Sequence, residues 1–208
     1  MKTHITATSI RRGILAGAFL AVATASHAAI VIQFDQVGAN VVETGSGSAN
    51  LAALTFAGNS LTGSGITPNV GDIALGAGVV SVDKYTGISG PSNFGTGGGI
   101  IASSGTGSEF GLRGSGAAFL KVPAGYVSGT ALSGSNTFSG QTFASLGILA
   151  GTYAWTWGTG ATADSLTVQV GPAAAAVPEP GSALAGMLAL GVCLSGLAGR
   201  SRRQSAAV

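Results

Sequence analysis

The chain has 208 residues, 36 of them glycine, with 8% charged side chains, a formal charge of +2 and a mean hydropathy of +0.50. The positive charge sits at the ends: between Ala29 and Pro180 only Lys84, Arg113 and Lys121 oppose seven acidic residues, so no basic face is available to neutralise nucleic-acid phosphates. Both histidines (His4, His27) and the single cysteine (Cys193) also lie in the terminal segments, so the middle can hold no Ser-His-Asp or Cys-His catalyst, no zinc site of the usual N/S type and no disulfide.

Residues 1–28 read as a secretory signal peptide. Lys2, Arg11 and Arg12 precede an apolar stretch from Gly13 to Ala25, and Ser26-His27-Ala28 ends it in the small-x-small pattern of a cleavage site. Cleavage between Ala28 and Ala29 makes signal peptidase the first expected partner. The Arg11-Arg12 pair is flanked by Ile10 and by Gly13-Ile14-Leu15, which departs from the twin-arginine export pattern, so the general secretion route is expected.

Residues 29–171 form a Gly-rich segment long enough for one domain with its own core. Glycine at this frequency opposes helices, where each costs about 1 kcal/mol relative to Ala. The apolar content, with Phe and Trp, is too high for low-complexity disorder. Short β-branched or alternating runs recur between Gly/Ser/Asn turns: Ile30 to Phe34, Val41 to Glu43, Leu51 to Phe56, Gly78 to Tyr85, Ile100 to Ala102, Phe119 to Val122, Thr142 to Leu146, Tyr153 to Trp157 and Leu166 to Val170. This spacing predicts an all-β domain, an antiparallel β-sandwich or jelly-roll-like arrangement.

Phe119 to Val127 is expected to form a strand, a Pro-Gly turn and a second strand, and Leu166 to Val170 to pair back on Tyr153 to Trp157 as a hairpin. Tyr153, Trp155 and Trp157, two residues apart, share one face of their strand. That face is expected in the core; the competing role is a sugar-stacking platform. Asp35, Glu43, Asp72, Asp83, Glu109 and Asp164 are the carboxylates of the segment. They are expected as solvated single groups, although two facing one another would suit glycan hydrolysis; Asp35 and Asp164, both expected in turns, are candidate oxygen ligands for Ca²⁺, but no regular Asp/Asn loop supports that role. No cofactor or metal is expected. Gly95 to Gly99 lacks the Lys-Ser/Thr and helix of a phosphate cradle and is expected as a flexible loop.

Residues 172–182 are an Ala-rich linker carrying Val177-Pro178-Glu179-Pro180-Gly181. The two prolines hold the backbone around Glu179 extended and solvated. Residues 183–199 are a 17-residue uncharged apolar run, about 26 Å as a helix, close to the ~30 Å of a bilayer core. A single transmembrane helix is therefore expected. Arg200, Arg202 and Arg203 follow, so residues 200–208 form a basic tail placed in the cytoplasm by the positive-inside rule.

The Pro-Glu-Pro turn, the span and the arginines, from Val177 to Arg203, together resemble the PEP-CTERM sorting domain of Gram-negative bacteria, also called an ice-binding protein C-terminal domain. The resemblance implies recognition by an exosortase, removal of the membrane anchor, and delivery to the cell surface or extracellular matrix, commonly alongside exopolysaccharide. Phe119 to Val127 together with Gly151 to Gly158 is similar to a group of PEP-CTERM proteins whose domain has no established activity, and supplies no site residues. The expected function is thus that of an exported, non-enzymatic surface or matrix protein. A carbohydrate- or ice-binding module and a carboxylate-based glycan hydrolase remain the alternatives.

Overall fold

A computed structural model describes residues 29–171; residues 1–28 and 172–208, with the signal, linker, span and tail expectations, lie outside the described residues. The strands, in chain order, are β1 (Ala29–Val37), β2 (Asn40–Gly47), β3 (Thr55–Thr62), β4 (Gly65–Thr67), β5 (Asp72–Leu75), β6 (Val80–Thr86), β7 (Ile100–Ile101), β8 (Ser104–Gly107), β9 (Phe110–Arg113), β10 (Phe119–Pro123), β11 (Leu132–Phe138), β12 (Gly151–Trp157) and β13 (Asp164–Val170). One turn of helix, α1 (Phe143–Leu146), and two 3₁₀ turns complete them.

The strands form two sheets. The first runs β12-β13-β1-β2-β11-β8 and the second β3-β6-β10-β9-β5-β4-β7. Alternation decides which side each strand buries. In β1, Ile30, Ile32 and Phe34 are fully buried while Val31 and Gln33 face out; in β13, Leu166, Val168 and Val170 are buried and Ser165, Thr167 and Gln169 are not. Leu75, Phe110, Leu112, Leu120 and Val122 of the second sheet join these side chains in one hydrophobic cluster, so the two sheets enclose a common core. Pairing is antiparallel except where β1 lies parallel to β13, Ile30 opposite Leu166 and Phe34 opposite Val170. The first and last strands of the described residues thereby lie side by side inside the sheet, a parallel contact the antiparallel expectation did not include.

The expected final hairpin is present, with Trp155 opposite Leu166. Three local expectations are corrected. Thr142 to Leu146 is no strand: Thr142 caps α1, its hydroxyl accepting from Ser145 N at 3.1 Å while Ser145 Oγ accepts from Thr142 N at 2.8 Å. This reciprocal capping box stabilises a helical turn. The segment after Pro123 turns through Ala124-Gly125 and does not resume as a strand at Tyr126-Val127; the next strand is β11. Leu51 to Leu54 is a turn closed by Leu54 N to Leu51 O at 2.9 Å, so the strand expected there begins only at Thr55.

The second sheet is coiled back on itself. β3 and β4 are separated in sequence by Gly63 and Ser64 alone, yet four strands lie between them in the sheet. Thr62 and Gly65 can be no more than ~11 Å apart along the chain, whereas a flat sheet would put β3 and β4 ~24 Å apart at ~4.8 Å per strand. Coiling brings the two ends together, and a groove opens where they meet.

Candidate functional site

The groove is lined by Thr62, Ser64, Thr67, Asp72, Ile101 and Lys121 among others and encloses about 340 Å³. A second, more apolar depression of about 670 Å³ adjoins it and shares Gly63, Ser64 and Ile101, with Val79 on its far wall. Lys121 reaches the first groove because its neighbours Leu120 and Val122 point into the core. It is only 6% exposed, and its ammonium is neutralised by Asp72 Oδ1, with Ile73 O at 3.4 Å as a further acceptor. Arg113 sits 3.8 Å from the other oxygen of Asp72.

Beneath Ser64 lies a buried polar network that crosses between the sheets. Glu43 on β2 is opposite Asn136 on β11. Asn136 Nδ2 donates to Glu43 Oε2 at 2.9 Å and to Ala74 O at 3.0 Å, and Asn136 Oδ1 accepts from Gly76 N at 3.2 Å. Ser64 Oγ lies 2.7 Å from Gly76 O and 3.2 Å from Glu109 Oε2, and accepts from Gly78 N at 2.9 Å. Oε1 of Glu43 and Oε1 of Glu109 have no hydrogen-bond partner among the described residues.

A carboxylate taken out of water is costly unless paired. Burial accordingly pushes the Glu43 carboxyl up to about 8; Glu109 adds to the rise, while the Asn136 bond and the Lys121 charge oppose it. Burial also raises Glu109, against the pull of Ser64 and Lys121. At neutral pH Glu43 is therefore largely an uncharged acid, hydrogen-bonded into the fold.

This arrangement offers little acid–base chemistry to a ligand. Neither Glu43 nor Glu109 lines either groove; the carboxylate that does, Asp72, is tied to Lys121. Glycoside hydrolysis needs two carboxyl groups facing one another across a cleft, and these grooves do not present such a pair. Ser64 Oγ, the hydroxyl common to both, is occupied by the Gly76 and Gly78 backbone.

Other expected site residues fall as follows. Trp155 and Trp157 are 0% and 4% exposed, and their indole N–H groups donate to Pro91 O at 2.9 Å and Asn50 O at 2.8 Å. Tyr153 packs edge-on against Phe94. The stripe is a core face, as alternation in β12 dictates, and with both indoles enclosed it offers no platform for a sugar ring. Asp35 and Asp164 lie in strands, not in the expected turns, and do not come together: they stand near opposite ends of the paired β1 and β13, ~23 Å apart at ~3.3 Å per residue. Asp164 accepts from Asn50 N and Ser165 N, both at 2.6 Å, and Asp35 from Gln33 Nε2 at 3.2 Å. Asp83 accepts from Gly125 N at 2.9 Å. Gly95 to Gly99 is no free loop, since Thr96 N and Gly97 N both donate to Gly147 O and Gly97 O accepts from Asn69 N. Ala29, on the carboxyl side of the expected signal cleavage, is the first residue of β1. Val177 to Gly181 and Arg200, Arg202 and Arg203 lie outside the described residues.

Asn136 and Ser64 were absent from the sequence expectation. A single Asn inside Ser-Gly-Ser-Asn-Thr carries no signal of burial; only its placement opposite Glu43 does. Comparison with protein-family models, with curated proteins and with solved structures finds no match to this chain.

Proposed function

We propose that this chain is an exported, non-enzymatic cell-surface or matrix protein: a sandwich-type β domain delivered by a cleaved signal peptide and a PEP-CTERM tail. In this reading signal peptidase cuts between Ala28 and Ala29. The span 183–199 then holds the chain in the inner membrane of a Gram-negative bacterium, with Arg200, Arg202 and Arg203 in the cytoplasm. An exosortase recognises Val177-Pro178-Glu179-Pro180-Gly181 and removes the anchor, and the domain passes to the surface or the matrix. The order of Pro-Glu-Pro, apolar run and arginine cluster is the observation that carries the reading. The absence of His and Cys between Ala29 and Pro180 and the engagement of Asp72, Glu43 and Glu109 inside the fold support a non-catalytic role.

Expression of the whole chain in a host with and without an exosortase tests the proposal. Processing should yield a smaller, surface-exposed or released form only when the enzyme is present, and replacing Pro178 and Pro180 with Ala should keep the chain at full mass in the membrane fraction. Identical mass and location in both hosts would overturn it.

A further inference from the structure

We propose that the outward face of the six-stranded sheet is a docking surface for an uncharged polysaccharide, an inference that rests on export for its biological setting but not for its chemistry. Register places Thr152, Gln169, Gln33, Thr44, Ser135 and Thr106 side by side in one row across all six strands. At ~4.8 Å per strand this row is ~24 Å long. A neighbouring row, two residues along each strand, holds Ala154, Thr167, Val31, Ser46 and Ser133. All point away from the core, because the residues between them, such as Ile32, Trp155 and Val168, are the buried ones.

The chemistry of the face selects its occupant. Its charged side chain is Asp35, which lies near one end of β1 and is held by Gln33, while the domain's cations Lys84, Arg113 and Lys121 all belong to the other sheet. A polyanion or an anionic membrane therefore finds no counter-charge here. The rows carry no aromatic anchor of the kind that dominates protein interfaces. They do present hydroxyls and carboxamides, groups that both donate and accept, interspersed with the methyl groups of Thr, Ala154 and Val31. Within the rows Thr106 and Ser135 are closed by a mutual bond at 2.9 Å, and Gln33 Nε2 is committed to Asp35 Oδ1, Phe34 O and Gly171 O, which leaves its Oε1 facing outward as an acceptor. Between the two rows a depression of about 260 Å³ is lined by Val31, Gln33, Thr44, Gly45 and Ser46, with Val31, 41% exposed, as its apolar side chain. An exposed apolar side chain beside hydroxyls and an amide complements a sugar ring, which has C–H faces and a hydroxyl rim. The length and repetition of the rows complement a chain of such rings. Each hydrogen bond to sugar contributes little net free energy, so affinity must accumulate over several rings bound at once.

Affinity electrophoresis of the full chain in detergent tests this independently of sorting, using gels cast with a neutral β-glucan, a neutral α-glucan or anionic alginate. At least one neutral glucan should retard the chain and alginate should not; an oligosaccharide of six rings should compete at least tenfold better than a disaccharide. Thr44→Lys and Gln33→Ala should each weaken retardation at least tenfold, with the circular dichroism spectrum unchanged, while Lys84→Ala should leave it intact. Retardation by alginate alone, retardation insensitive to both face variants, or no retardation by either neutral glucan would overturn the proposal. So would ice-crystal shaping by the chain that Thr44→Lys abolishes while glucan binding is absent, which would assign the face to ice. A failure of exosortase processing with glucan binding retained would refute the sorting proposal alone.

Discussion

Glu43→Gln isolates the cost of a buried acid. The Glu43 carboxyl rises from 4.5 to about 8 in the folded chain, a rise of about 3.5, and at ~1.4 kcal/mol per pH unit the linked change in stability is about 5 kcal/mol. The sign follows from which state holds the proton. Between pH 4.5 and about 8 the folded chain keeps it and the unfolded chain has lost it, so stability is full below 4.5 and falls as pH rises toward 8. Against a typical total of ~5–15 kcal/mol this is a large fraction. Glutamine retains a carbonyl for Asn136 Nδ2, and its amide nitrogen replaces the partnerless Glu43 Oε1. Urea unfolding at pH 5, 7 and 9, followed by the fluorescence of the enclosed Trp155 and Trp157, reads the effect. The wild-type midpoint should drop steadily across that series with little change in slope. Glu43→Gln should be within about 1 kcal/mol of wild type at pH 5 and more stable by several kcal/mol at pH 9. A smaller decline should persist in the variant because Glu109 is raised as well. A wild-type chain that is equally stable at pH 5 and pH 9, or a variant with the full wild-type decline, would refute the reasoning.

Trp155→Ala should cost ~3–5 kcal/mol in urea unfolding, as expected for an enclosed indole, and should strand the Pro91 carbonyl. Loss of a ligand with stability unchanged would instead mean the ring is used outside the core. Gly147, at φ 64 with Gly97 Cα 2.5 Å from where a Cβ would sit, should tolerate Ala much worse than Gly38, at φ 59 with nothing within 4 Å. The Gly38→Ala loss should be the ~1–2 kcal/mol of the left-handed backbone alone, with Gly147→Ala larger in the same melting experiment. Thr142→Ala should lower stability by ~1 kcal/mol through the lost cap of α1, and Thr142→Ser should restore most of it.

The expectations that held are those set by alternation. Ile30-Val31-Ile32-Gln33-Phe34 and Leu166 to Val170 have an apolar residue at every second position, and Tyr153-Ala154-Trp155-Thr156-Trp157 puts its rings on one side; a period of two leaves only the choice of side. Those that failed rest on competition between short-range terms. Thr142-Phe143-Ala144-Ser145-Leu146 has the β-branched and aromatic content of a strand, but Thr and Ser three residues apart can satisfy each other's backbone N–H groups, and the cap decides. β11 went unread because Leu-Ser-Gly-Ser-Asn-Thr-Phe buries only Leu132, Asn136 and Phe138, and its Gly and Ser content matches a turn.

The same physics explains why both polar features of the domain were invisible in one dimension. Glu43 is isolated in sequence; its raised pKa follows first from burial, with Glu109 of the β8–β9 connection adding to it and Asn136, 93 residues away, and Lys121 of the other sheet opposing it. The outward rows are a stronger instance. Ser and Thr at alternate positions of β2, β8, β11, β12 and β13 look like generic turn-prone polarity within each strand. They become a surface only when five pairings set them in register, and the inward side chains fix that register: shifting β11 by one residue would expose Leu132 and Phe138 and bury Ser133, Ser135 and Thr137 without partners. The apolar core thus determines the polar face, and a substitution that displaced β11 would damage both together. A substitution confined to an outward hydroxyl, such as Thr44, would leave the core intact and alter only what the face can hold.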